Sequence, residues 1–148
     1  MNSQVYTSTG EEQTLEIGRK IGSVLQPPKV ILLEGCLGAG KTALTRGIVS
    51  GYFGLPFDRP DVRSPTFSLV NQYEHHGRVV FHIDLYRLDT AGEQYSIGLD
   101  EILSEEAVII IEWSEKLKVP ADYQVNIRLW PTDSNCRKIE IPNELLPS

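Results

Sequence analysis

A glycine-rich stretch, GCLGAGKT from Gly35 to Thr42, constrains this 148-residue chain more than any other part of its sequence. It fits the pattern G-x-x-x-x-G-K-[ST], which describes a phosphate-binding loop. Its glycines let backbone N–H groups curl around a phosphate, and a helix that follows points the positive end of its dipole at the same anion. The pattern predicts that Lys41 reaches the β- and γ-phosphates of a nucleotide and that the Thr42 hydroxyl binds magnesium.

The residues on either side of this stretch supply the setting that the motif requires. Lys29 to Glu34 is a short apolar run of the buried-strand type, and Thr42 to Phe53 has apolar residues at helical spacing before Gly54, a suitable C-cap. A strand, a glycine loop and a helix in this order predict nucleotide binding rather than a glycine-rich turn that happens to precede a helix. The predicted nucleotide-contacting residues are Gly35, Gly38, Ala39, Gly40, Lys41, Thr42 and Ala43.

Composition and charge argue against several classes of protein. A hydrophobic fraction of 41% and a charged fraction of 23% predict one globular domain over residues 1–148. Cys36 and Cys136 give no disulfide framework, and no run approaches about 18 apolar residues, so we expect a cytoplasmic protein that does not enter a membrane. A net charge of −6 opposes a broad nucleic-acid surface but leaves room for a small basic patch, so we expect no DNA binding and expect another protein to supply most of any RNA contact.

Hydrophobic periodicity predicts the remaining elements. They are a helix over 10–25, strands over 67–74 and 78–88, a weak helical segment over 92–103, a buried strand over 107–111, and strands over 123–130 and 137–141. The first helix has capping-box spacing at Thr9, and His75-His76-Gly77 is interpreted as a hairpin turn rather than a metal site. The sum is a three-layer, P-loop NTPase-like α/β domain, whose mixed sheet has a parallel core carrying the phosphate loop and antiparallel hairpin additions.

A phosphate loop also needs an acid at the end of a neighbouring strand to hold magnesium or its water. Glu112, which follows four residues of the buried type, is the better match, and Asp84 is the second candidate. Alternation along the strand places Asp84 with His82 on the face opposite the apolar one. Because an unpaired buried carboxylate is costly, Asp84 is predicted to have either a function or a salt bridge, for example with Arg87 or Arg63.

The segment Ser64-Pro65-Thr66-Phe67 contains a further candidate residue. It closes a connection rich in Pro, Asp and Arg, and Thr66 comes 24 residues after Thr42. A hydroxyl there would meet the γ-phosphate or magnesium if the segment acted as the switch loops of nucleotide hydrolases do. The same residues are also typical of an ordinary turn before a strand, and both interpretations stay open on this evidence.

Together these motifs resemble the bacterial TsaE family, also called YjeE, a small ATPase needed to make threonylcarbamoyladenosine in tRNA. The matching segments follow the family's order from about residue 10 to 115, and the combination is more specific than any one of them. They are LGAGKT at 37–42, SPTFSLV at 64–70, HIDLYRL at 82–88, Gly98-Leu99 with Asp100-Glu101, and Ile111-Glu112-Trp113. The family commonly has an acid where this chain has Cys36, and the tail from Tyr123 onward matches only loosely.

The resemblance implies a magnesium-dependent ATPase that is weak alone and activated by partners. ATP or ADP would be bound by the phosphate loop, with magnesium held through Thr42 and Glu112, and Asp84 and Thr66 would have roles in turnover. The implied partners are TsaB and TsaD, of which TsaD transfers the threonylcarbamoyl group to tRNA. Hydrolysis by this chain would reset their complex between rounds, and its contact with tRNA would be indirect.

Other functions fit the same loop. A small-molecule kinase would add an arginine-bearing lid, whereas the arginines beyond the loop are scattered in this sequence. A nucleotide-sensing interaction module with negligible turnover would use the same residues for binding, so the sequence does not separate it from an ATPase. A GTPase is disfavoured, because no Asn-Lys-x-Asp base-reading motif is present.

Overall fold

The computed structural model describes residues 2–36, 40–59, 61–65, 68–132 and 136–148. In chain order its elements are β1 (Ser3–Ser8), α1 (Glu11–Val24), β2 (Lys29–Glu34), α2 (Lys41–Phe53), β3 (Val70–His75), β4 (Arg78–Asp84), α3 (Ala91–Ser96), α4 (Leu99–Leu103), β5 (Val108–Glu112), β6 (Gln124–Pro131) and β7 (Arg137–Pro142). Short 3-10 turns occupy Ser114–Lys116 and Asn143–Leu145. No helix in the described ranges is long and apolar enough to cross a membrane.

The contacts between residues divide the chain into two compact units. The first unit comprises Met1–Leu25, Gly35–Arg63 and Asn126–Ser148, and the second comprises Gln26–Glu34 and Ser64–Val125. Each unit therefore gathers segments that are distant in the sequence. The expectation of a single domain over residues 1–148 stays a prediction.

The second unit is built on a mixed sheet. Strand β5 pairs in parallel with both β2 and β4, and β3 pairs antiparallel with β4 through a turn in which His76 and Gly77 have φ of 49° and 79°. One apolar cluster packs on this sheet and consists of Val30, Leu32, Phe81, Ile83, Leu85, Leu88, Leu99, Ala107, Ile109, Ile111 and Val119. The predicted parallel core with an antiparallel hairpin is confirmed.

The first unit combines two helices with an antiparallel group of strands. Strand β7 pairs antiparallel with β6, as the second predicted hairpin requires, and also with β1. The register of the second pairing runs from Ser3 opposite Pro142 to Ser8 opposite Arg137. Strand β1 had no prediction from the sequence, because its partner lies at the other end of the chain.

Three local predictions were wrong in detail. The N-cap of α1 is Gly10 rather than Thr9, and no side chain caps that helix. The helical segment predicted over 92–103 is two short helices, because Gly98 takes the left-handed conformation between them with φ of 78°. Strand β4 ends at Asp84 instead of residue 88, since the Leu88 N–H turns back to the Leu85 carbonyl oxygen at 3.0 Å.

Helices α1 and α2 approach each other through glycines. A Cβ at Gly22 of α1 would collide with the Ile48 carbonyl oxygen and lie 2.6 Å from the Tyr52 nitrogen. A Cβ at Gly47 of α2 would collide with the Leu15 carbonyl oxygen and lie 3.0 Å from Gly18 Cα. Backbone meets backbone at this crossing, so its geometry depends on residues without side chains.

Replacing Gly22 with Ala tests this packing. Alanine is the better helix former by about 1 kcal/mol, but the added methyl group has backbone atoms against it, so we expect a net loss of about 1–3 kcal/mol of unfolding free energy. Urea denaturation measures the change. The control is Gly92→Ala in α3, where the nearest non-neighbour atom is Thr90 Oγ1 at 4.0 Å and stability should not fall. Equal stability of both variants with the native chain would contradict the crossing described here.

Candidate functional site

The described end of the glycine-rich stretch forms the start of helix α2. Gly40 is the N-cap and holds the left-handed conformation at φ 94° and ψ 20°, and its carbonyl oxygen accepts the first helical bond from the Leu44 N–H at 3.0 Å. Lys41, Thr42 and Ala43 form the first turn, where backbone N–H groups lack partners within the helix and no acidic residue is present. Such a helix start attracts phosphate.

Of the other residues predicted to contact the nucleotide, only some lie within the part of the chain that the structure describes. Gly35 and Cys36 are described, and the Cys36 thiol is exposed and forms no disulfide. Gly38 and Ala39 lie outside the described residues, so their predicted contacts with a nucleotide stay predictions.

The two candidate acids lie side by side at the ends of neighbouring strands. Strands β4 and β5 run parallel, and their register places Asp84 directly opposite Glu112. Both residues are buried, with 4% and 5% of their surfaces exposed. The Asp84 Oδ1 accepts a hydrogen bond from the Tyr86 N–H at 2.9 Å, and Asp84 makes no ion pair with a described residue. The salt bridge that the sequence left open for Asp84 is therefore not formed within the described chain.

A buried histidine holds Glu112 from the same face of the sheet. The His82 Nε2 lies 2.6 Å from the Glu112 Oε2, and the His82 side chain is fully buried. With Glu112 ionised, the carboxylate only accepts, so the His82 Nε2–H donates. No described residue bonds to the His82 Nδ1, which leaves the ring anchored through Glu112. The alternation of the strand predicted that His82 shares a face with Asp84, but it did not predict this hydrogen bond.

Two aromatic side chains come soon after these acids in the sequence, Trp113 directly after Glu112 and Tyr86 two residues after Asp84. The rings of Tyr86 and Trp113 are 4.8 Å apart, and 52% and 38% of these residues are exposed. The Lys116 ammonium donates to the Tyr86 carbonyl oxygen and to Asp89, each at 2.7 Å. Trp113 adopts the left-handed conformation at φ 57°, which turns the chain sharply after Glu112. The sequence signal for this feature was an aromatic residue within two positions of each acid.

The remaining candidates are a metal site and the hydroxyl of Thr66. Within the described ranges, no group of three or more His, Cys, Asp or Glu side chains is arranged to hold a metal ion. Thr66 lies outside the described residues, and its role stays a prediction.

Comparison with known proteins decides the family. The model of the family "Threonylcarbamoyl adenosine biosynthesis protein TsaE" matches residues 8–139. The chain belongs to the TsaE family. A TsaE protein of Rickettsia bellii is 36% identical over 147 residues, which is 97% of each chain. The TsaE protein of Nostoc sp. is 40% identical over 138 residues, or 88% of this chain and 80% of the relative.

A solved structure agrees with this assignment. The crystal structure of Bacillus subtilis YdiB has a TM-score of 0.73 with this chain at 26% sequence identity, and the match covers 95% of this chain and 84% of YdiB. The resemblance to the TsaE family and the P-loop NTPase-like α/β fold predicted from the sequence are both confirmed. The name of the family connects this TsaE chain with threonylcarbamoyl adenosine biosynthesis.

The bond between His82 and Glu112 predicts energetic coupling. We expect His82→Phe and Glu112→Met each to destabilise the fold, and the double variant to be more stable than the sum of the two losses by about 0.5–3 kcal/mol. The single change His82→Phe leaves the buried Glu112 carboxylate without its described donor. In the double variant Glu112→Met removes that carboxylate, so this cost disappears. Urea denaturation of all four chains gives the coupling energy.

The matched control is His82→Gln, whose amide keeps an N–H donor. It should cost less stability than His82→Phe. Strict additivity of the two original substitutions, within about 0.3 kcal/mol, would show that this contact carries no energy of its own.

Proposed function

We propose that this chain is the ATP-binding and ATP-hydrolysing component of the machinery that makes threonylcarbamoyladenosine in tRNA. The observation that carries the proposal is the GxxxxGKT sequence ending at the start of α2, in a chain whose family is TsaE. Turnover is slow in the isolated chain and rises with its partners. Its role is to reset a complex of TsaB and TsaD between rounds of threonylcarbamoyl transfer.

In this proposal the phosphate loop binds the phosphates of ATP or ADP. Lys41 places its ammonium at the β- and γ-phosphates, and the first-turn N–H groups from Lys41 to Ala43 donate to phosphate oxygens. The left-handed Gly40 supports this role, because it directs the first turn of α2 without placing a side chain on the loop. Gly35, Gly38 and Ala39 complete the proposed phosphate contacts.

Magnesium is the proposed cofactor, held through the Thr42 hydroxyl and the Glu112 carboxylate. The chemistry of the donors fits, since magnesium prefers hard oxygen ligands and neutralises charge on phosphate groups. The paired burial of Asp84 and Glu112 supports a cation-binding role, because two adjacent carboxylates repel each other away from water. Asp84 and Thr66 are proposed to act in turnover, where a carboxylate or hydroxyl orients the attacking water.

The proposed partners follow from charge and family. A net charge of −6 opposes direct binding of the tRNA backbone over a broad surface, so tRNA is reached through TsaD and TsaB. The cytoplasm, where tRNA is modified in bacteria, is the proposed location.

Steady-state ATP hydrolysis tests the proposal. We expect slow turnover by the purified chain and a clear increase when TsaB, TsaD and substrate tRNA are added. Lys41→Ala should weaken ATP binding about 10- to 100-fold, because it deletes a charge that faces phosphate oxygens. Lys20→Ala, which removes an exposed charge from α1, is the control and should bind ATP normally.

The other outcomes identify the alternatives. Rapid transfer of phosphate to a small-molecule acceptor would indicate a kinase. Tight ATP binding with no turnover in any mixture would indicate a nucleotide sensor. Normal ATP binding by Lys41→Ala would refute the phosphate-loop assignment itself.

The magnesium assignment has its own test. ADP affinity is measured with magnesium and with excess chelator for Glu112→Gln and Asp84→Asn. We expect Glu112→Gln to lose most of the gain in affinity that magnesium provides, and Asp84→Asn to lose less, because Glu112 is the proposed ligand. Glu106→Gln, an exposed site with the same chemical change, controls for charge. The opposite ranking would exchange the roles of the two acids.

A further inference from the structure

His82 is a fully buried polar residue that belongs neither to the phosphate loop nor to the proposed magnesium ligands. It lies in β4, where the register pairs it with Asn71 of β3 on one side and with Ile110 of β5 on the other. Strands on both sides therefore fix its backbone. A polar ring buried at such a position costs about 1–3 kcal/mol for each group left without a hydrogen bond, so its one described bond matters.

That bond fixes one oxygen of the Glu112 carboxylate. The His82 Nε2 and the Glu112 Oε2 are 2.6 Å apart, a length typical of strong hydrogen bonds to an ionised group. The His82 Nδ1 is buried and bonds to no described residue, so Glu112 is the described polar anchor of the ring. A glutamate side chain loses about 1.5–2 kcal/mol of rotamer freedom when it is fixed. The anchored ring removes part of this freedom before any cation arrives.

The neighbouring acid is held in a different way. Asp84 lies opposite Glu112 in the register, and its Oδ1 accepts from the main-chain N–H of Tyr86 at 2.9 Å. A main-chain donor is the same for every sequence, whereas the donor to Glu112 is a side chain that the sequence had to supply. Carboxylates that bind metal ions are themselves hydrogen-bonded by an outer group, and these outer partners orient them.

We propose that His82 is a positioning residue for magnesium. It holds the Glu112 Oε2 so that the carboxylate presents itself to the cation, or to one of its waters, in a single orientation. His82 itself contacts neither the cation nor the nucleotide, because its Nε2 faces Glu112 and its ring is buried. This inference rests on the proposed function, in which Glu112 helps to hold magnesium, and it adds the residue that orients that acid.

Titration calorimetry with ADP over a series of magnesium concentrations tests the proposal. Each chain gives two quantities, the ADP affinity in excess chelator and the magnesium concentration at which half of the gain in affinity is reached. We expect His82→Phe to raise this magnesium midpoint about 10- to 100-fold and to change the affinity in chelator less than about twofold, because the phosphate loop is untouched.

Two further variants separate positioning from a general loss of structure. His82→Gln keeps an N–H donor that reaches Glu112, so its midpoint should lie closer to the native value than that of His82→Phe. His76→Gln makes the same change at an exposed position of the β3–β4 turn and should keep the native midpoint. If His82→Phe does not fold by urea denaturation, His82→Asn, whose shorter amide does not reach Glu112, takes its place with the same expectation.

A double variant tests whether His82 acts through Glu112. Glu112→Gln removes the ionised carboxylate that His82 holds. Once it is present, adding His82→Phe should change the magnesium midpoint less than about twofold, because the group that His82 orients no longer binds the cation. A further rise comparable to that of His82→Phe alone would show that His82 acts independently of Glu112 and would overturn the proposal.

The other outcomes distinguish this inference from the proposed function. If His82→Phe keeps the native midpoint while Glu112→Gln raises it, the inference is wrong and the magnesium assignment stands. Equal losses of ADP affinity with magnesium and in chelator would also overturn the inference, because His82 would then support the fold in general. If magnesium does not change the ADP affinity of the native chain, the proposed magnesium site fails together with the inference.

Discussion

The side-by-side burial of Asp84 and Glu112 is the constraint on which the second unit depends. Parallel pairing of β4 and β5 ends both strands in an acid at the same level, away from most solvent. Two carboxylates in that position repel each other and lack hydration, so the surrounding chain must supply donors. His82 and the Tyr86 N–H do so within the strands and the turn that follows. In the proposed function magnesium offsets the remaining negative charge.

The sequence predicted the parts of this fold that local pattern controls. The apolar run before the glycine loop became β2, the helical spacing after it became α2, and the β-branched run ending in Glu112 became β5. These segments have one strong periodicity and clear boundaries at glycine or acid residues. The adjacency of Asp84 and Glu112 was not predicted, because Asp84 was expected inside a strand that continued to residue 88; it follows from the parallel register of β4 and β5.

Pairings between distant segments were beyond such reasoning. Strand β1 exists because β7 offers it a partner, and nothing within Ser3–Ser8 announces that partner. The face on which His82 lies was predicted correctly, but its hydrogen-bond partner, Glu112, was not. Arg137 looked like the ordinary start of a hairpin strand, and only the antiparallel register places it beside Gly40. Strand β4 was predicted too long because the alternation of apolar and polar residues continues beyond Asp84, where pairing with the neighbouring strands ends and a turn begins.

The glycine crossing of α1 and α2 has a consequence for how this chain tolerates change over evolutionary time. Most helix pairs are spaced by side chains, so each substitution at the contact shifts the spacing. Here the spacing is set by main-chain atoms, which are the same for every amino acid. The helix that begins at Lys41 can therefore keep its placement against α1 while the surrounding residues diverge freely, provided that the glycines at the crossing remain.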